Sequence, residues 1–166
     1  MWSHAMRSSP SCHPSPVVDV EQEAGGRERF AQRLVEGPID GDWALRQVAG
    51  EDAGCSLVFY GTVRREGRLG EVLHLDYEAY PDMVQAEFSK IAEEVFDEHA
   101  ILRVAIEHSY GRVPLGGCSV AVAIAAAHRQ DVFQASSAIM DRLKERVPLW
   151  KKEVCTDGSE WKGQGS

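Results

Sequence analysis

The chain is poor in cysteine, and its cysteines form no pattern. Cys12, Cys55, Cys118 and Cys155 are scattered through 166 residues. There is no C-x-x-C and no Cys/His pair at zinc-ligand spacing, which argues against a zinc ribbon or a thioredoxin-like motif. Unpatterned thiols of this kind fit a reduced, cytosolic protein. His74, His99, His108 and His128 fall in separate segments without ligand spacing, so no metal is expected. No apolar run approaches the roughly 20 residues of a membrane span; the longest, Val120 to Ala127, has the length of a strand. The N-terminus lacks the apolar core of a signal peptide. Positive charge is in deficit, with 18 Lys and Arg against 26 Asp and Glu and a net charge of −8. That balance argues against a nucleic-acid partner, which needs a basic surface. GxGxxG, P-loop and GxSxG motifs are missing, as are internal repeats.

What is present fits one α+β domain. Hydrophobic residues make up 43% of the chain, ample for a packed core. Residues 1–26 are Ser-, Pro- and Gly-rich and read as a disordered leader, leaving a domain over 27–166. Arg27 to Val35 fits either a short helix or a strand. Asp40 can cap a helix from about Gly41 to Ala49. CSLVFYGTV, from Cys55, reads as a buried strand, and REGRLG after it as a polar loop. VLHLDYEAY alternates as a half-buried strand, with Val72, His74, Asp76, Glu78 and Tyr80 on one face and Leu73, Leu75, Tyr77 and Ala79 on the other. Pro81-Asp82 opens a helix to about Glu98, with Met83, Ala86, Phe88, Ile91, Val95 and Phe96 as its apolar stripe. ILRVAIEHSYG alternates again, setting Glu107 and His108 on opposite faces. SVAVAIAAA is a strand of small residues against which something must pack closely. Asp131 to Arg146 reads as a helix with Val132, Phe133, Ala135, Ala138, Ile139, Leu143 and Val147 inward. Pro148 ends it, because the residue before proline is driven out of the helical region. A short strand is expected around Lys152 to Val154.

Three polar spots stand out from this core pattern. MDRLKERVPLWKKE gathers Arg142, Lys144, Arg146, Lys151 and Lys152 around Pro148 in an otherwise acidic chain. A lysine crowded by cations has its charged form disfavoured, which suits a nucleophile or an acid/base group. A solvated helix end, with cations near the negative pole of the helix dipole, accounts for the same residues. Arg64 leaves a strand beside a glycine-bearing loop; its guanidinium suits a bidentate anion, or it is an ordinary loop cation. His128-Arg129 lies at a strand-to-helix junction, where backbone N–H groups add to an anion site; a capping and ion-pairing role is the plainer alternative. A non-catalytic module that binds a phosphorylated ligand or a peptide tail would need the arginines but not both lysines. An acyl-transfer enzyme using Cys118 or Ser119 has no evident base beside either residue.

FYGTVR, LDYEAYPDM, AAAHR and LKERVPLWKKE, in this order and over Gly37 to Trp161, resemble the catalytic (large) subunit of molybdopterin synthase. The resemblance implies an α/β-hammerhead-type core, a largely antiparallel sheet with packed helices. It implies a homodimer that receives at each end a small ubiquitin-like sulfur-carrier subunit with a C-terminal Gly-Gly, making a heterotetramer. The implied reaction moves sulfur from that subunit's C-terminal thiocarboxylate to cyclic pyranopterin monophosphate, forming the dithiolene of molybdopterin in the cytoplasm. By matching motifs, Lys144 and Lys151 are the implied catalytic lysines. Arg64, His128 and Arg129 are the implied substrate pocket, drawn from both protomers. No resident cofactor is implied, and the thiocarboxylate supplies the nucleophilic sulfur, so no catalytic cysteine is needed.

Overall fold

A computed structural model describes residues 29–164; the expected leader at 1–26 lies outside them. Ten elements follow in the order β1 (Phe30–Glu36), α1 (Asp42–Val48), β2 (Cys55–Thr62), β3 (Val72–Ala79), α2 (Pro81–Glu98), β4 (Ile101–Pro114), β5 (Cys118–Ala126), α3 (Arg129–Arg146), β6 (Leu149–Cys155) and β7 (Glu160–Gln164). The sheet runs β2-β5-β4-β3-β6-β7, with β1 added alongside β4. Every pairing is antiparallel except β1 on β4. This is the expected α+β class.

The centre of the fold is β4. Its first half pairs with β1 and β5, and its last residues pair with β3. From Val104 to Ser109 every residue of this strand is buried, the polar Glu107, His108 and Ser109 among them. On one face, Val104 and Ile106 join Val122, Ile124, Phe88, Ile91, Ile139 and Leu143 in the main core under α2 and α3. On the other, Ala105, Ala121, Ala123 and Ala125 meet Ala44 and Val48 of α1. The alanines of β5 therefore have the reason that their size suggested: α1 packs directly on them.

Several expectations need correction. Of the two alternatives for the 27–35 segment, its described part takes the strand from Phe30, because pairing with β4 satisfies its backbone. β2 is half exposed rather than buried, since it lies at the sheet edge and is paired on one side only among the described residues. A register irregularity between Val72 and His74 resets the alternation of β3, so Val72 is buried with Leu75 and Tyr77 while Leu73 faces out. Met83 and Phe133 are exposed. In α3 the inward stripe is Val132, Ala135, Ser136, Ile139, Met140 and Leu143, and Phe133 lies about 100° round the helix from Val132. β6 is longer than expected, and β7 was not expected at all.

Pro148 does end α3: Val147 is extended, with φ −72° and ψ 128°. The basic cluster then separates by helix face. Arg142 pairs with Glu94 and Glu98, and Arg146 with Glu87 and Glu94, riveting α3 to α2. These carboxylates hold the Arg146 guanidinium even more firmly protonated than usual. Because the site is partly exposed, Arg146→Met should lower unfolding stability by only about 1 kcal/mol. Urea denaturation would measure it.

Candidate active site

Lys144 lies on the opposite face of α3 from Arg142 and Arg146. It sits one turn after Met140, and together they line a cavity of about 400 Å³. Across Pro148, β6 begins at Leu149, and strand alternation turns Lys151 and Lys152 to opposite faces. Lys151 enters the same cavity, whereas Lys152 pairs with Glu160 at 2.7 Å. The chain leaves β2 through an irregularity at Gly61/Thr62. Val63 is then buried, and Arg64 joins the cavity wall. Three of the five expected site residues therefore converge from a helix end, a strand and a loop.

The cations differ in how they are held. Lys151 lies 3.6 Å from Glu153, and Arg64 donates from Nε to the Glu66 carbonyl at 3.0 Å. Lys144 has no ion-pair partner among the described residues, so its charge is available to a ligand. Two carboxylates, Glu66 and Glu153, and the hydroxyls of Tyr77 and Ser119 also line the cavity. Tyr77 donates to Ser119 at 3.2 Å, and Ser119 donates to the Gly61 carbonyl at 3.3 Å. Burial pushes the Tyr77 phenol up, so it stays protonated as a donor. Burial also pushes the Cys118 thiol up, which disfavours the thiolate that a nucleophile requires.

His128 and Arg129 stand elsewhere. They line a separate recess with Gly54, Cys55 and Gln130. In the β2–β5 register, Cys55 faces Ala126 whereas Thr62 faces Cys118, so the two sites lie at opposite ends of one strand pair. Seven residue steps separate them, roughly 23 Å along the strand. Leu149 is core, and Trp150 stands edge-on to Tyr80 in another groove. Pro148 to Trp150, apolar residues beside the two lysines, thus do not line the lysine cavity among the described residues. Sequence reasoning missed Glu153, Tyr77 and Met140 as cavity residues. Only Met140 carried a usable signal, its i,i+4 spacing from Lys144.

Three cationic side chains, with Glu66 and Glu153, converge on one cavity, a set of groups suited to an anionic ligand. The chain belongs to the molybdopterin synthase catalytic subunit family. The family model described as MoaE protein matches residues 34–146. The molybdopterin synthase catalytic subunit of Halalkalibacterium halodurans is 38% identical over 136 residues, covering 82% of this chain and 86% of that protein. The crystal structure of molybdopterin synthase from Staphylococcus aureus superposes with a TM-score of 0.74 at 30% identity, covering 82% of this chain and 98% of that one. A protein–protein complex of subunits 1 and 2 of molybdopterin-converting factor from Helicobacter pylori shares the fold, with a TM-score of 0.65 at 19% identity over 80% of this chain and 88% of that one. The activity is molybdopterin synthase, a sulfurtransferase of molybdenum cofactor biosynthesis.

Proposed function

We propose that the cavity joining Arg64, Lys144 and Lys151 is where sulfur is transferred, and that a second copy of this chain completes it with His128 and Arg129. The convergence of the three cations is the observation that carries this reading. The substrate is a phosphate-bearing pterin and the donor is a thiocarboxylate, so both reactants bring negative charge. The thiocarboxylate sulfur is the nucleophile. Lys144 and Lys151 offset its charge and that of the developing oxyanion, and one of them moves the proton. The donor is the Gly-Gly tail of a small ubiquitin-like subunit, consistent with the two-subunit complex that shares this fold. The free thiols Cys55, Cys118 and Cys155 suit a reducing cytoplasm. Among the described residues, no helix is long and apolar enough to cross a membrane.

The second copy follows from the gap between the two half-sites. β2 is an edge strand carrying exposed Phe59 and Tyr60. Its sequence, CSLVFYGT, has no charge or proline to discourage pairing. Two copies meeting antiparallel along this edge about a two-fold axis bring the Cys55 end of one beside the Thr62 end of the other. In such a pair the partner copy's recess would adjoin the lysine cavity, which supports the shared-pocket reading.

The test is complementation. Lys144→Ala chains and Arg129→Ala chains are each expected to be inactive alone. Mixed after mild dissociation, half of the dimers are heterodimers with one intact site, so about a quarter of the full rate should return. A mixture that stays inactive while native mass spectrometry shows mixed dimers would overturn the shared pocket.

A further inference from the structure

We infer that the loop after β2 and the strand β7 clamp Lys151 in place, with Trp161 as its positioning residue; this rests on the reading of Lys151 as a site lysine. The clamp is built on one face of β6 and β7. Lys151 pairs across with Gly163, and Glu153 with Trp161. The indole of Trp161 folds back over Gly163. A Cβ added there would stand 2.1 Å from the ring, so only glycine lets the ring lie along the strand. The ring has the Lys151 ammonium 5.8 Å from its centroid and the Arg68 guanidinium at 4.7 Å. Both distances are within the range of cation–π attraction.

The loop closes the arrangement from the other side. The Arg68 backbone N–H donates to Glu153 at 3.0 Å, while the other oxygen of that carboxylate faces Lys151 at 3.6 Å. A second glycine makes this approach possible: a Cβ on Gly67 would meet Glu153 at 2.8 Å and Val72 at 2.5 Å. Two segments far apart in sequence therefore fold onto the same lysine, each through a glycine that has no room for a side chain. Trp161 is not among the residues that line the lysine cavity. It restricts where the ammonium can go, and catalysis through fixed charge is sensitive to displacements of about 1 Å.

The experiment compares Trp161→Leu, Trp161→Phe and Gly163→Ala in the full chain. Each is read by the labelling rate of Lys151 with an amine-acylating reagent, mapped by mass spectrometry, and by single-turnover transfer. Trp161→Leu and Gly163→Ala should label Lys151 several-fold faster. Their maximal rate should fall roughly tenfold, with the pterin concentration at half-saturation unchanged. Trp161→Phe keeps a ring face and should retain both wild-type values. Wild-type labelling and rate in Trp161→Leu would overturn the clamp, and so would a Trp161→Phe chain that behaves like the leucine variant. A thermal melt identifies any variant that fails to fold, and the Leu/Phe pair still decides the matter if Gly163→Ala does. Full activity in Lys151→Ala would instead sink the assignment of the lysine, while the labelling rates would still report on the clamp.

Discussion

Lys144→Ala is expected to lose about 10²- to 10³-fold in single-turnover sulfur transfer, the cost typical of removing one preorganised group from an oxyanion site. The measurement mixes the chain with a thiocarboxylated small subunit and cyclic pyranopterin monophosphate, then follows the oxidised product by fluorescence. The fold should survive intact. Lys144 is exposed at the end of α3 and is the cation of the cluster that no carboxylate engages among the described residues, so its loss breaks no ion pair. An unchanged thermal midpoint alongside the lost rate separates chemistry from stability. Lys144→Arg then separates two roles. Guanidinium keeps the charge but stays protonated in proteins. Substantial activity in that variant means that charge alone is needed, and its loss means that a proton moves through the amine.

The second large effect is on stability in acid. His108 is fully buried in β4, edge-on to Tyr77 with ring centroids 5.3 Å apart. Its Nδ1 lies 2.8 Å from the Ser109 carbonyl and so carries the proton, while Nε2 has no hydrogen-bond partner among the described residues. Protonating Nε2 would bury a charge with nothing to answer it, and burial accordingly pushes the group down from 6.5 to about 4. The unfolded chain takes up this proton near pH 6.5 and the folded chain does not. Stability is therefore complete above that pH, falls as pH drops from 6.5 toward 4, and levels off below. The loss attributable to His108 is about 3 kcal/mol at pH 4. Urea unfolding at pH 7.5 and pH 4.5 would show it as a difference in slope, since His108→Leu should lose stability less steeply than the wild type. Equal slopes in the two proteins would rule out His108 as the source.

How far residues speak for themselves here depends on whether their partners are local. The periodicity of Phe88, Ile91 and Val95 and of Val132, Ala135 and Ile139 placed α2 and α3 correctly, and Pro148 marked the end of α3. Alternation put Glu107 and His108 on opposite faces, as found: Glu107 is buried against Arg33 of β1, and His108 turns to Tyr77. β7 was not legible because EWKGQ has no apolar pattern and is a strand only through its pairing with β6. The exposure of β2 was hidden for a similar reason, because a run of apolar residues cannot say whether it ends up central or at an edge. In the site, residue chemistry alone left Lys144, Lys151, Arg64, His128 and Arg129 with plainer alternatives. The family motifs selected them, and the fold then showed that three meet in one chain. Glu153 and Trp161 stayed invisible because their significance lies in cross-strand register, which single-strand patterns do not encode.

The bare edge of β2 has a consequence for the life of the newly made chain. Among the described residues, Phe59 and Tyr60 flank a row of unpaired backbone groups on which an extended peptide can add. A chain with this row uncovered is open to misassembly and precipitation. On the dimer proposed above, solubility and catalytic competence would be secured by the same event, the meeting of two copies.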